Sequence, residues 1–102
     1  MHYIGRWLVA GQLWVREIKR NKIRRDVVVP CALEAWTDAL AQACHDLDLQ
    51  VPVILPRHER DWQEFRQARF VAEHFLEDIS FDRLEAEYFD PDEKRKTQEA
   101  WG

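Results

Sequence analysis

Little in this chain suits phosphate cradling or nucleophilic group transfer. Glycine occurs 3 times in 102 residues, and no copy belongs to a Gly-rich phosphate loop. Hydroxyl side chains are as scarce, since only Thr37 and Ser80 precede position 81. A serine hydrolase is disfavoured on supply alone. Gly-x-Ser-x-Gly, Cys-x-x-Cys and His-Glu-x-x-His spacings are all missing. No apolar run approaches the roughly 20 residues of a membrane helix. The opening residues, Met1-His2-Tyr3-Ile4-Gly5-Arg6, lack the basic-then-apolar order of a signal peptide. With only Cys31 and Cys44 as thiols, these absences predict a reduced, cytoplasmic protein with no membrane partner.

Bulky core material is plentiful. Five Trp, five Phe and two Tyr stand among 46% hydrophobic residues. A chain with that supply buries a core, unlike a disordered one. Charge is unevenly placed. Residues 1–30 carry seven bases against two acids, for +5, whereas residues 31–102 carry eight against seventeen, for −9. Such a split fits a polyanion partner, a self-complementary interface, or two parts that neutralise each other within the fold.

The hydropathy pattern predicts an α+β fold of order β-β-β-α-β-α-β. Trp7-Leu8-Val9, Leu13-Trp14-Val15 and Val27-Val28-Val29 read as a three-stranded N-terminal antiparallel meander. Gly11-Gln12 suits a type II′ turn between the first two. That turn sets Arg6 opposite Glu17, Leu8 opposite Val15 and Val9 opposite Trp14. At the second hairpin, a three-residue loop Arg20-Asn21-Lys22 pairs Glu17 with Arg25 and Arg16 with Asp26, avoiding like-charge clashes. Arg6, Glu17 and Arg25 then form one rung. Leu33, Trp36, Leu40, Ala43 or Cys44, and Leu47 recur at helical spacing, predicting a helix over 32–46. Val53-Ile54-Leu55, between Pro52 and Pro56, reads as an edge strand joined by a right-handed crossover, which makes the sheet mixed. A second helix is expected over 57–68, with Trp62 and Phe65 on its apolar side. Residues 70–76 read equally as helix or loop. Strict alternation through Leu84-Glu85-Ala86-Glu87-Tyr88 predicts a last strand over 81–89, against a helix capped at Ser80. Residues 1–90 thus form one domain with two covering helices. Residues 91–102 form a polar C-terminal tail, read as a short helix announced by Asp90-Pro91-Asp92-Glu93.

Three groups of residues carry chemistry. Cys31 is the best nucleophile candidate, because a helix N-terminus lowers a thiol pKa; His45, His58 or His74 would serve as its base. Cys44 falls on the core face with Leu40 and Leu47. No spacing of Cys31, Cys44, His45, His58 and His74 matches a metal-ligand pattern, so neither metal nor cofactor is expected. Arg16, Lys19, Arg20, Lys22, Arg24 and Arg25 crowd one β-ribbon, a phosphate-contacting arrangement with Trp7 or Trp14 available to stack a base. Arg57, His58, Trp62, Arg66 and Arg69 form a second surface, in which Trp62 with Arg66 and Phe65 with Arg69 have cation–π spacing.

The expected function is a small non-enzymatic interaction or regulatory module acting through protein–protein contact, with a homodimer as one form. One alternative is a weak, sequence-independent nucleic-acid binder using the basic hairpin 16–25. Another is a thiol-dependent enzyme using Cys31.

Overall fold

The computed structural model describes residues 11–90. Two long strands open it, β1 (Gln12–Lys19) and β2 (Lys22–Pro30). A 3₁₀ turn at Leu33–Ala35 leads into helix α1 (Trp36–Asp46). An irregular stretch precedes helix α2 (Pro56–Phe65), followed by β3 (Gln67–Val71), a second 3₁₀ turn (Ala72–His74) and β4 (Arg83–Phe89). All strand pairs are antiparallel, in the order β2-β1-β4-β3. Among the described residues this gives a single α+β domain with one four-stranded sheet and two helices.

Alternation puts Leu13, Val15, Val29, Ala68, Phe70, Leu84 and Ala86 on one face, where each is nearly inaccessible. Both helices pack there, through Trp36, Ala39, Leu40, Ala43 and Cys44 of α1 and Trp62 of α2. The α1 stripe is the one read from the sequence. That helix begins at Trp36 rather than Ala32, because the first turn of the expected helix is 3₁₀.

Among the described residues the sheet is wholly antiparallel, not mixed. Residues 51–55 make no strand: Pro52 and Pro56 offer no N–H, and Val53 N–H donates to the His74 carbonyl at 2.8 Å as an isolated bond. The strand that replaces it is β3, where the second helix was expected to continue. Arg66 stops that helix in the left-handed region, at φ 57°. The chain then turns directly into Gln67–Val71. β4 occurs where alternation placed it, and the helical alternative falls away.

The N-terminal meander changes as well. Trp7-Leu8-Val9 lies outside the described residues, as does the 91–102 helix. Along β1, however, both edges are filled: Val15 faces Val27 on one side and Ala86 on the other, and Glu17 faces Arg25 and Leu84. β4 therefore occupies the positions expected for Arg6, Leu8 and Val9. Its apolar row Leu84, Ala86, Tyr88 matches the inward row of β1, which a three-stranded meander reading could not anticipate. The β1–β2 register agrees with expectation at Glu17–Arg25 and Arg16–Asp26, by a different route. The loop is two residues, Arg20 and Asn21, both at positive φ (54° and 64°) as a type I′ turn requires. A bulge in β2, opposite the Glu17–Ile18 step of β1, then leaves Arg24 unpaired in the ladder. One extra residue in a bulge shifts register as much as one extra in the loop. The Arg20 N–H donates to Asp82 Oδ2 at 2.8 Å, which steadies the turn.

Gly11 does not adopt the positive φ of a type II′ turn. Its role is close approach: a Cβ there would overlap the Tyr88 ring, and its carbonyl accepts Cys31 N–H at 2.9 Å. Gly11→Ala should therefore destabilise the domain by about 1–3 kcal/mol, an overpacking cost. Urea denaturation should show a lower midpoint at unchanged slope.

Candidate functional site

Half of the basic ribbon is committed inside the fold. Glu17 is completely buried, and Arg25 grips its carboxylate with two hydrogen bonds, at 2.6 and 3.2 Å. Arg24 adds an ion pair to Glu17 at 3.3 Å and donates to the Ser80 carbonyl and hydroxyl. Arg25 also donates to the Leu47 carbonyl just past α1, and the bond to Glu17 raises its pKa further. Arg16 lies over the Trp14 ring at 4.2 Å and pairs with Glu85 and Glu87 at 3.0 and 3.1 Å. Among the described residues, Lys19, Lys22 and the Arg20 guanidinium have no polar partner. The ribbon thus presents three free cations at its tip instead of six. Much of the sequence's charge split is neutralised internally, on the sheet face opposite the helices, where Glu85 collects Arg16, Arg83 and Arg69. Burial pushes the Glu85 carboxyl up, but bonds from Arg83 and Arg16 outweigh it and hold it below its ordinary range.

The second predicted surface divides. His58 and Trp62 are buried, so neither belongs to a surface. Trp62 stacks on Trp36 with centroids 4.7 Å apart and planes 12° from parallel. Their indole N–H groups donate to the Leu33 carbonyl and to Glu59 respectively. The expected cation–π pairs do not form, because α2 ends before Arg66. Arg66 sits over Tyr88 instead, at 5.6 Å, and Arg69 reaches across β4 to Glu85 at 3.8 Å. Phe65, expected on the apolar side, is 61% exposed. The Trp36–Trp62 edge floors a cleft of about 370 Å³ whose polar lining is Glu34, Glu59, Gln63 and Arg66. The stack was missed because two indoles on separate helices give no spacing signal.

The thiols are poorly placed for nucleophilic work. Cys31 follows β2 and precedes a 3₁₀ turn, five residues before α1, so no α-helix N-terminus faces it. It is 1% exposed, donates to the Ala32 carbonyl at 3.3 Å, and burial followed by the nearby Glu34 pushes its pKa up to about 11. Burial does the same to Cys44, also to about 11. His45 is exposed on α1. Among the described residues, no group of three or more His, Cys, Asp or Glu is disposed to hold a metal ion. No described helix is long and apolar enough to cross a membrane.

No protein-family model matches the chain, and neither a curated protein nor a solved structure matches it. Function must be read from its own surface.

That surface carries a feature the sequence reading passed over. Residues 51–55 alternate, with Val51, Val53 and Leu55 exposed at 44%, 46% and 37% while Pro52 is buried. Leu76 is 85% exposed. Val53 bonds to His74, and the Leu76 and Glu77 N–H groups both donate to Gln50 Oε1, so the two segments run side by side. Three aliphatic side chains thus share the outward side of 51–55, and exposed Leu76 stands on the neighbouring segment with exposed Glu73, Glu77 and Asp78. The prolines at 52 and 56 were the available signal, since they withhold backbone donors and keep this alternating stretch out of the sheet.

Two outcomes follow from this geometry. Arg25→Ala should cost about 2 kcal/mol, because a buried carboxylate loses its main partner while Arg24 remains in reach. Lys22→Ala should be near neutral in the same urea titration. Iodoacetamide at neutral pH should label Cys31 and Cys44 slowly and alike, with fast labelling only after denaturation; rapid labelling of Cys31 alone would restore the thiol-enzyme reading.

Proposed function

We propose that this domain is a non-enzymatic protein–protein interaction module that self-associates, the hairpin tip of one copy seating on the aliphatic strip of another. The observation that carries this reading is the exposure of Val51, Val53 and Leu55 on one side of 51–55, with Leu76 exposed on the segment hydrogen-bonded beside it. Contiguous exposed apolar side chains with a charged rim mark association surfaces. The tip complements it in both respects. Ile23 is 48% exposed, and Lys19, Arg20 and Lys22 surround it with positive charge to meet Glu73, Glu77 and Asp78. Two such contacts exchanged reciprocally close a two-fold dimer, whereas a one-way contact would propagate. The rim charges speed encounter and the aliphatic contact supplies the affinity.

Sedimentation equilibrium at low salt tests this directly. The wild-type chain should show a concentration-dependent rise in mass, and Leu76→Asp or Ile23→Asp should each return it to monomer. A wild-type chain that stays monomeric to about 500 μM, well beyond micromolar association, would overturn self-association.

A second reading uses the same tip, and its support is the three cations without internal partners. A backbone-contacting nucleic-acid module with three free cations engages about three phosphates, so log affinity should fall against log salt with a slope of roughly −2 to −3. Fluorescence polarisation with short DNA and RNA at low salt should then give submillimolar binding that Lys19, Arg20 and Lys22 to Gln abolishes. Absence of binding at about 100 μM protein would leave the tip to protein contact alone.

A further inference from the structure

His58 and His74 repeat one device. Each stands three residues after a chain turn, and each turns its ring back to accept a backbone N–H on Nδ1: Leu55 N–H to His58 at 2.8 Å, Val71 N–H to His74 at 3.0 Å. This is half of a capping box, with imidazole where Glu or Gln usually stands. The rings meet edge to face at 4.6 Å, and His58 lies 4.4 Å from Phe70. Both are buried, at 1% and 3% exposure.

Their place in the sheet gives the pair its meaning. Among the described strands, β3 lies at the edge of the sheet. Tyr88 N–H donates to the Arg66 carbonyl, so Ala68 and Phe70 turn their polar groups to β4, and Gln67, Arg69 and Val71 turn theirs outward. The outward Val71 N–H is the one His74 takes. The Arg69 carbonyl faces the His58 ring, whose Nε2 is buried and makes no hydrogen bond in proper geometry. The His74 backbone carbonyl in turn holds Val53, and so the aliphatic strip, against this edge.

We propose that His58 is an acid-operated latch on the β3 edge: uncharged it holds residues 51–55 and, through the His74 ring packed against it, the 3₁₀ turn closed over that edge, and protonated it releases both. The donor count requires it. A neutral imidazole has one lone pair and a charged one has none. Leu55 N–H needs the lone pair of His58. His74 already faces two donors, Val71 N–H and Arg57 Nη2 at 3.1 Å, with one lone pair to offer. A proton added to His58 sets its Nδ1–H against the Leu55 N–H.

The surroundings oppose charge on His58. From α2 it faces the Arg57 guanidinium and, more distantly, Asp61; from the 3₁₀ turn it faces His74; from β3 it meets Phe70 and backbone. Burial lowers its pKa below the ordinary 6.5, His74 and Arg57 lower it further, and the Arg69 carbonyl and Asp61 only partly offset this. Because the closed-state pKa is depressed, the open state takes up the proton first as pH falls. The latch is therefore fully closed above about pH 6.5 and weakens as pH falls from there through the closed-state value.

Amide hydrogen exchange followed by NMR tests this on the intact chain. Corrected for intrinsic rates, protection at Leu55, Val53 and Val71 should fall about tenfold per pH unit below 6.5, while β1 amides keep theirs. In His58→Gln, the amide oxygen keeps the Leu55 bond without titrating, so the pH dependence at Leu55 should flatten. Flat wild-type protection between pH 7.5 and 5, loss in step at β1, or a slope that survives in His58→Gln would each overturn the latch. Should that variant fail to fold, ¹⁵N imidazole spectra of the wild type decide: His58 must titrate together with the Leu55 amide, and separate transitions refute the coupling.

Discussion

β4 comes last among the described strands and lies in the middle of the sheet, between β1 and β3. That insertion organises the rest. On the inner face its Leu84 and Ala86 are wholly buried between Val15 of β1 and Phe70 of β3, so neither flanking strand has a core without it. On the outer face Glu85 gathers arginines from β1, β3 and its own strand. A single carboxylate shared by three guanidiniums is partly desolvated, and Coulomb attraction there is stronger than at a free surface. The pairing of a basic hairpin with an acidic strand thus has both a hydrophobic and an ionic side.

Fold class, the α1 stripe and the last strand were legible because each rests on periodicity, and periodicity follows from which face is buried. Charge pairing was legible in part. It placed Glu17 against Arg25, yet it could not tell a longer loop from a bulge, since both shift the register by one. What could not be read is partner choice. Nothing local in Leu13–Val15 says whether its neighbour is residues 6–9 or residues 84–88; that is a contest between a short loop and a better-matched apolar row, settled by packing. The helix-to-strand switch at Arg66 was hidden for a related reason. A left-handed arginine is a conformation imposed by the sheet that follows, not one its own side chain favours.

The candidate surfaces show the same limit. Composition marks the cations as a cluster, but a count of charges does not say which are already spent on neighbours. Arg24 and Arg25 sit beside a buried acid that needs them, whereas Lys19 and Lys22 sit where nothing does. His58 was grouped with surface arginines by proximity in sequence. On a helix with Trp62 buried, however, the position four residues earlier lies on the same inward face. The spacing that announced Trp62 as core announced His58 as well.

Ionic groups drawn into internal pairs change what the remaining surface does best. A protein of net charge −4 whose basic ribbon is half neutralised has only a short-range positive feature at its tip, and solvent ions screen that within about 10 Å at 0.1 M salt. Long-range steering of a polyanion is correspondingly weak. Exposed aliphatic side chains are not screened at all. Two prolines keep Val51, Val53 and Leu55 out of the sheet, and the histidine pair holds that stretch against the edge strand. The segment is thus ordered without being buried, so a partner meeting it need not supply the entropy of ordering it. Pre-ordering of this kind lowers the entropic cost of any contact such a segment makes.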